Sequence, residues 1–246
     1  MCTLSFLPRK HGYIAAMNRD ELRSRPAALP PATQQAGGLF ALYPSESGGG
    51  TWVGANSGGI LLALLNWYAM ETATLGKKSR SRGELIPYLL QETEPEKLER
   101  SLHNTDLSGV YPFRLFGFFP DGQQIREWRW NFRNLTMESH AWQRQHWFSS
   151  SRSDSQAAAE RGAACAEAWK GDPTDASAWL RGLHASHFTE PGPFSVCVHR
   201  EDAATVSYTE AEWNRGELQM DYLPGNPCQA SQPLELQSLS NFAGRR

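Results

Sequence analysis

Residues 1–21 read MCTLSFLPRKHGYIAAMNRDE, and their pattern predicts the first structural element of the chain. Residues 3–7 are rich in β-forming side chains, residues 8–12 contain turn formers, and residues 13–18 form a second apolar run. Two such runs around a short turn predict a β-hairpin. The pattern therefore places Cys2 at the free start of a strand.

Cys2 carries the most suggestive chemistry of this stretch. Methionine aminopeptidase generally removes Met1 before so small a side chain, so the mature chain would begin with a thiol and a free α-amine on one residue. A thiol pKa of about 8.5 and an amine pKa of about 7.7 to 8.0 would let the amine take the thiol proton at neutral pH. The alternative is ordinary, because many proteins have a small second residue and no such chemistry.

The composition indicates a folded chain that binds small molecules or proteins. The 246 residues include 40% hydrophobic residues and nine Trp, enough for a sizeable core in a single domain spanning residues 1–246. The net charge of −2 comes from 24 basic and 26 acidic residues spread along the chain. Nucleic acid and anionic membranes are therefore not expected partners, and the oligomeric state is left open.

The cysteine and hydropathy patterns favour a cytoplasmic protein. Cys2, Cys165, Cys197 and Cys228 are far apart and form no CxxC or Cys/His ligand pattern, so we expect reduced thiols and no metal site. The apolar run at residues 60–65 is far shorter than the roughly 20 residues of a membrane span. No basic and apolar secretory signal begins the chain.

Further along, the patterns alternate between strands and helices. Residues 51–55 and 60–65 predict paired strands around Asn56-Ser57-Gly58-Gly59, with Asn66 at the far end. Capping-box patterns at residues 81–84 and 93–96 predict two helices between residues 81 and 104. Residues 113–119 and 124–131 flank a hairpin turn, and Trp128 and Trp130 share one face of the second strand.

The second half predicts two more helices followed by strands. Residues 155–169 are rich in Ala at helical spacing, and Asp172-Pro173-Thr174-Asp175 starts a further helix that ends near His184. Residues 194–199 and 205–209 predict strands, whereas the tail after Pro233 carries little signal. Hairpins separated by pairs of helices indicate an α+β fold with mainly antiparallel sheets.

Several strings, in this order and spacing, resemble the NRDE-domain family, also called the transport-and-Golgi-organisation family. They cover most of the first 70 residues and continue more loosely to residue 208. The strings are Met1-Cys2-Thr3, Asn18-Arg19-Asp20-Glu21, Arg25-Pro26, Gly49-Gly50-Thr51-Trp52-Val53-Gly54, Leu64-Leu65-Asn66, Ser149-Ser150-Ser151, Ser195-Val196-Cys197-Val198-His199-Arg200 and Thr205-Val206-Ser207-Tyr208.

That family is similar to N-terminal cysteine hydrolases of the penicillin V acylase and bile-salt hydrolase type. The resemblance implies a four-layer αββα sandwich, with Cys2 as the nucleophile, Asp20 orienting the amine and Asn18 as a further catalytic residue. The arginine of those enzymes falls on Met17 here. Arg19 would point to the opposite strand face from Asn18 and Asp20, so the guanidinium that favours thiolate is expected to come from elsewhere or to be absent.

The resemblance also implies an oxyanion site and a substrate pocket. Asn66 matches an oxyanion-hole contributor, with a polar cap of the strand end as the alternative. The second Asn of those hydrolases falls near residues 149–151, where Ser150 offers a hydroxyl, and Arg200 is the nearest match to their late arginine. Candidate substrate-binding residues are therefore Ser150 together with Arg19, Trp52, Trp67 and Tyr68, although core packing is the default for the aromatic residues.

Two other clusters have ordinary alternatives. Glu21 and Arg25 are interpreted as a charged pair at the mouth of the site or as a solvated surface pair. His184 and His187 are interpreted as a metal or axial haem contact, or as a polar helix terminus.

Two functions follow from the resemblance. The first is an amidohydrolase that needs no cofactor and cleaves non-peptide C–N bonds of small amides with an apolar acyl part after Met1 removal. The second is a carrier or chaperone that uses the same pocket for haem, acyl-CoA or other lipids. Cys2, Asn18 and Asp20 favour the first function, and Met17 in place of arginine favours the second.

Overall fold

Two antiparallel β-sheets dominate the structure, a computed structural model that describes residues 1–70, 75, 79–188, 190–229 and 235–240. The six-stranded sheet has the order β10-β1-β2-β11-β12-β13, and the seven-stranded sheet runs from β3 to β9 in sequence order except for the helices inserted between β6 and β7. The strands are β1 (Cys2–Arg9), β2 (Gly12–Leu22), β3 (Leu29–Ala36), β4 (Leu39–Ser45), β5 (Val53–Asn56), β6 (Leu61–Asn66), β7 (Phe113–Phe119), β8 (Gln124–Trp130), β9 (Leu135–His140), β10 (Gln145–Ser149), β11 (Ala203–Asn214), β12 (Glu217–Pro224) and β13 (Glu235–Ser240).

The predicted amino-terminal hairpin is confirmed. β1 and β2 pair antiparallel from Cys2 opposite Arg19 to Arg9 opposite Gly12. Alternate side chains therefore face opposite sides of the sheet. Leu4 on one face belongs to a core shared by both sheets, in which side chains such as Phe116 come from the other sheet.

Four helices complete the described fold, namely α1 (Leu85–Leu89), α2 (Pro95–His103), α3 (Asp154–Ala168) and α4 (Ala176–His184). The leucines of α1 and α2 share a cluster with the seven-stranded sheet that includes Trp128, with Trp130 packed beside it. α3 and α4 pack with the six-stranded sheet. The four helices and the mainly antiparallel sheets agree with the α+β prediction.

Side chains cap the starts of α3 and α4. The Ser153 and Asp175 side chains accept backbone N–H bonds at the starts of α3 and α4. At α2 the capping position is Glu94 rather than Thr93, with no side-chain capping bond, because Pro95 already begins the helix. The capping-box interpretation of residues 93–96 is therefore wrong, although the helix itself is present.

Two strand predictions differ from the structure. Residues 194–199 form turns and bends that end in a single bridge from His199 to Ala204, because their backbone groups bond elsewhere. The Cys197 N–H donates to the Ser186 carbonyl, and the Val198 N–H donates to a side-chain oxygen. By contrast, the tail beyond residue 233 contains the strand β13, which pairs with β12.

The tight turn before β6 depends on a glycine. Gly59 has a φ of +85°, and a Cβ atom there would lie 2.4 Å from the Trp213 ring. This turn connects β5 to β6 and sets the register of their pairing. Asn66 is the last residue of β6, as predicted. Within the described ranges, no helix is long and apolar enough to cross a membrane.

Candidate active site

Cys2 lies between two strands at the edge of the inter-sheet core. Its cross-strand neighbours are Arg19 on β2 and Ser149 on β10, so the three side chains share one face of the sheet. Cys2 is 6% exposed and belongs to the same cluster as Trp52. The Ser149 hydroxyl is buried and has no hydrogen-bond partner among the described residues.

Arg19 supplies the guanidinium that the sequence left unassigned. As predicted, strand alternation turns it away from Asn18 and Asp20, but that face is the one that carries Cys2. Its guanidinium carbon lies 4.5 Å from the centroid of the Trp52 ring. Arg19 is therefore the cross-strand neighbour of Cys2, whereas the sequence predicted that the guanidinium is supplied elsewhere or is absent.

Two carboxylates hold Arg19 in place. Its Nη2 lies 2.5 Å from Glu46 Oε1 and 3.4 Å from Glu21 Oε2. Arg25 contacts the same two carboxylates at 3.6 Å each, which confirms the predicted contact between Glu21 and Arg25. The four charged side chains form one network beside Trp52.

Asp20 contacts the amino-terminal residue through its backbone. Its N–H donates to the Met1 carbonyl at 3.0 Å, and its carbonyl accepts from the Met1 amine at 3.2 Å. Its carboxylate instead accepts from the Thr205 hydroxyl at 2.7 Å and lies 3.4 Å from Arg161 Nη1. Burial raises the pKa of the Asp20 carboxyl, and Arg161, the amine and Thr205 oppose this rise.

Arg161 is a site residue that the sequence analysis missed. This fully buried side chain of α3 donates to the Cys2 carbonyl at 3.2 Å and to the Thr3 hydroxyl at 2.9 Å. A signal was available, because Arg161 lies four residues from both Ala157 and Cys165 on the apolar stripe of the helix. A charged residue on such a stripe indicates a buried partner, and here that partner is a carboxylate.

Asn18 supports the loops on the other side of the sheet. Its Nδ2 donates to the carbonyls of His184 and Val196 at 2.8 and 2.9 Å, and the side chain is fully buried. Both amide hydrogens are thus used away from Cys2. Asn18 therefore holds the end of α4 and the loop at residues 194–199 against β2, and it is a positioning residue.

Asn66 reaches the amino terminus through a tyrosine. Its Nδ2 donates to the Tyr68 hydroxyl at 2.7 Å, and that hydroxyl accepts from the Met1 amine at 3.2 Å. The end of β6 thus meets the start of β1, although the two belong to different sheets. Asn66 and Tyr68, both predicted site residues, lie within one hydrogen-bond chain of the terminus.

The Met1 side chain fills the space beside this chain. Met1 is 6% exposed, and its sulfur accepts from the Ser151 hydroxyl at 3.1 Å and from Arg200 Nη1 at 3.0 Å. Ser150, the predicted binding residue, instead caps the turn into α3, where its N–H donates to Asp154. The neighbouring Ser151, rather than Ser150, thus contacts the amino-terminal residue, and Arg200 lies beside it.

The terminus is charged and the thiol is neutral while Met1 is present. Burial alone would lower the pKa of the Met1 amine, but Tyr68, Cys2 and Asp20 favour its charged form and raise the pKa to about 10. Burial raises the pKa of the Cys2 thiol, and the terminal charge, an Asp20 backbone hydrogen bond and Arg19 offset this only in part. The amine is then unable to act as a base at neutral pH.

Of the remaining predicted residues, Trp52 lies beside Arg19, whereas Trp67 and His184 make other contacts. Trp52 packs under Arg19, whereas Trp67 lines a separate cavity of about 300 Å³ with Arg114 and Phe148. His184 points into the sheet, where its Nε2 lies 2.8 Å from the Ser5 hydroxyl, and does not pair with His187.

Another cavity lies at the opposite end of the hairpin. It has a volume of about 570 Å³, and its lining residues include Arg9, Lys10, Trp142, Arg144 and Trp169. Arg9 ends the strand that Cys2 begins, which separates them by about 23 Å at the usual rise per residue.

Three separate segments bring four potential metal ligands together. The ligand atoms of His187, Cys197, His199 and Cys228 all lie within 4.8 Å of one another. The prediction of no metal ligand pattern is therefore wrong for these four residues, because segments far apart in sequence meet in the fold.

The fold defines the class of this protein. A penicillin V acylase from Agrobacterium tumefaciens is similar, with a TM-score of 0.56 and 12% identity over 99% of this chain and 87% of that chain. A mutant conjugated bile acid hydrolase from Clostridium perfringens is similar with a TM-score of 0.55 and 11% identity, over 100% of this chain and 94% of that chain. The chain therefore has the N-terminal-nucleophile hydrolase fold.

Sequence comparison identifies the family within that class. The model of the family described as Transport and Golgi organisation 2 matches residues 1–170, and this chain belongs to that family. The human Transport and Golgi organization protein 2 homolog is 36% identical over 99 residues, which are 37% of this chain and 35% of the human protein. The match thus spans about a third of that relative.

Proposed function

We propose that this protein is an N-terminal cysteine amidohydrolase that acts on a small amide with an apolar acyl part after Met1 has been removed. One observation carries the proposal: Met1 fills a space bounded by the Tyr68 hydroxyl, the Ser151 hydroxyl and Arg200, directly before Cys2. Loss of Met1 would free the Cys2 amine and open that space to a substrate. The substrate class follows from the acylase and hydrolase with the same fold.

The proposed reaction has two halves. The free amine of Cys2 takes the thiol proton, the thiolate attacks the carbonyl carbon, and the C–N bond breaks as the amine returns the proton to the leaving nitrogen. Water then attacks the thioester, which releases the acid and restores the thiol. The Asn66 carboxamide, reoriented from Tyr68, would donate to the oxyanion in both halves.

The surrounding charges would prepare the thiol. Arg19 opposes Cys2 across the strand pair and favours the thiolate, while Glu21 and Glu46 fix its position. Arg161 holds the Cys2 carbonyl and the Asp20 carboxylate behind the nucleophile. We also infer that the four helices complete a four-layer αββα sandwich, which would keep both sheets rigid around this site.

A matched pair of preparations tests the proposal. Cleavage of an N-terminal ubiquitin-like fusion can yield proteins that differ only in starting at Met1 or at Cys2, as verified by intact mass. Only the Cys2-first protein should hydrolyse a panel of N-acyl amides and show accelerated alkylation of Cys2 by iodoacetamide. Equal turnover by both preparations would refute the amine-as-base mechanism, and turnover by neither would refute the hydrolase proposal.

Two pairs of variants assign the chemistry. Cys2→Ala should abolish turnover, whereas Cys165→Ala, at a buried cysteine of α3, should retain it. Arg19→Gln should slow Cys2 alkylation near neutral pH, whereas Arg25→Gln should have little effect because this half-exposed arginine shares the carboxylates but does not oppose Cys2. Equal effects of the two arginine variants would contradict the assigned role of Arg19.

A second candidate function, carriage of an anionic amphiphile such as haem or acyl-CoA, is favoured by the cavity at the far end of the hairpin. Basic Arg9, Lys10 and Arg144 line it beside Trp142 and Trp169. A ligand in this cavity would lie away from Cys2, whereas the sequence predicted one pocket shared by both functions.

Haemin titration followed by absorption tests this second function. Lys10→Glu should weaken binding about tenfold, whereas the exposed Arg133→Glu and the distant Cys2→Ala should not. Unchanged affinity in Lys10→Glu would exclude this cavity.

A further inference from the structure

Four side chains outside the Cys2 site converge from three segments of the chain. His187 follows α4, Cys197 and His199 lie in the loop before β11, and Cys228 lies in the 3-10 helix Pro227–Gln229. His199 Nε2 lies 3.1 Å from His187 Nε2, 3.3 Å from Cys228 Sγ and 3.7 Å from Cys197 Sγ. All four ligand atoms lie within 4.8 Å of one another.

The three separations from His199 Nε2, 3.1 to 3.7 Å, lie close to the edges of a small tetrahedron. Zinc bonds of about 2.0 to 2.1 Å to nitrogen and about 2.3 Å to sulfur give ligand–ligand edges of roughly 3.3 to 3.8 Å. Two thiolates with two imidazoles in tetrahedral arrangement are typical of zinc. We propose that His187, Cys197, His199 and Cys228 form a Cys2His2 zinc site.

The site is of the structural type. Four protein ligands would fill every position of a tetrahedral zinc ion, which leaves none open for water or substrate. Backbone hydrogen bonds also fix the position of the loop around the ligands. The Cys197 N–H donates to the Ser186 carbonyl and the His199 N–H donates to the Gly192 carbonyl, each at 3.0 Å. Cys197 is buried, and the other three ligands are half-buried.

The zinc ion would fasten the loop that supports the Cys2 site from behind. Between the two loop ligands, the Val198 N–H donates to the Thr205 hydroxyl, which in turn donates to the Asp20 carboxylate. The adjacent Val196 carbonyl accepts from Asn18. Zinc binding thus stabilises the region around Asp20, whether or not Cys2 catalyses hydrolysis.

Metal analysis of untagged full-length protein tests the site. After equilibration with zinc sulfate and removal of loosely bound metal, elemental analysis should find about one zinc ion per chain. Cys228→Ser and His187→Ala should each lower the retained zinc roughly tenfold or more. Cys165→Ser, the matched cysteine control outside the cluster, and Cys2→Ala should retain it, which separates this proposal from the proposed hydrolase.

A second measurement avoids variants that fail to fold. Cobalt added to reduced wild-type protein should give the visible bands of a tetrahedral ion and a thiolate charge-transfer band in the near ultraviolet. Zinc should displace both and protect Cys197 and Cys228 from alkylation. Octahedral cobalt spectra, a Cys197–Cys228 disulfide in place of bound metal, or zinc retention by both cluster variants would overturn the proposal.

Discussion

Two histidines, the buried His184 and the partly buried His146, should make the stability of the fold fall in mild acid. His146 Nδ1 and His184 Nε2 each lie 2.8 Å from the same Ser5 hydroxyl. Burial, together with His146 and Arg161, lowers the pKa of His184 to about 3, and burial together with Arg144 lowers the pKa of His146 to about 4. Both rings are therefore neutral in the folded state at physiological pH.

The sign follows from the lowered pKa values. Below the unfolded pKa of about 6.5 the unfolded chain binds protons that the folded chain does not, so the free energy of unfolding decreases as pH falls. Each histidine contributes about 1.36 kcal/mol per pH unit below that value, or about 2 kcal/mol between pH 7 and pH 5. Together His146 and His184 should remove about 4 kcal/mol over this range.

Urea denaturation of His184→Gln and His146→Asn measures the effect. The Gln side chain keeps a polar atom near the position of His184 Nε2, and the Asn side chain keeps one near the position of His146 Nδ1. Neither side chain titrates. Each variant should lose about 2 kcal/mol less than wild type between pH 7 and pH 5, and differences between the proteins should stay constant from pH 7 to pH 8. A loss in both variants within about 0.5 kcal/mol of the wild-type loss would refute the reasoning.

Three further substitutions test the site and its frame. Arg161→Met should lower the free energy of unfolding by about 3 to 5 kcal/mol, because it leaves the buried Asp20 carboxylate unpaired; a loss below about 1 kcal/mol in urea would contradict this. Asn66→Ala should lower kcat/KM of the Cys2-first protein by about 10²- to 10³-fold, and unchanged turnover would exclude Asn66 from the oxyanion site. Gly59→Ala should cost about 1 to 3 kcal/mol through its contact with Trp213, and an unchanged melting temperature would show that the turn relaxes freely.

Local sequence patterns predicted the fold where neighbouring residues decide the structure. The hairpin of β1 and β2, the strand that ends at Asn66 and the starts of α3 and α4 depend on alternation, turns and caps, which are visible in short windows. The prediction of a strand at residues 194–199 is wrong because contacts with residues outside this segment decide its structure. That segment is rich in β-forming residues, but its N–H groups donate to the Thr205 hydroxyl and to loop carbonyls, and the Val196 carbonyl accepts from the distant Asn18 side chain.

The candidate site was likewise predictable from the sequence only in part. The sequence indicated Cys2 as the candidate nucleophile and the strand face on which Arg19 lies, and the family resemblance added Asp20 and Asn66 as site residues. The sequence did not indicate that Arg19 shares this face with Cys2. Strand alternation shows which residues of one strand point to the same face, but it does not give the register between two strands. The register of Cys2 opposite Arg19 decided that point.

The sequence by itself determined that Cys2 begins a strand and that the sheets are mainly antiparallel. It also determined that the β1–β2 hairpin brings the chain at Asp20 back near Cys2. Only the tertiary structure decided that Arg161 is buried behind Cys2, that Ser151 rather than Ser150 reaches the terminus, and that Cys228 joins His187, Cys197 and His199. The physical reason is range: caps, turns and alternation act over a few residues, whereas these contacts join segments separated by tens to more than a hundred positions and exist only once the sheets and helices have packed.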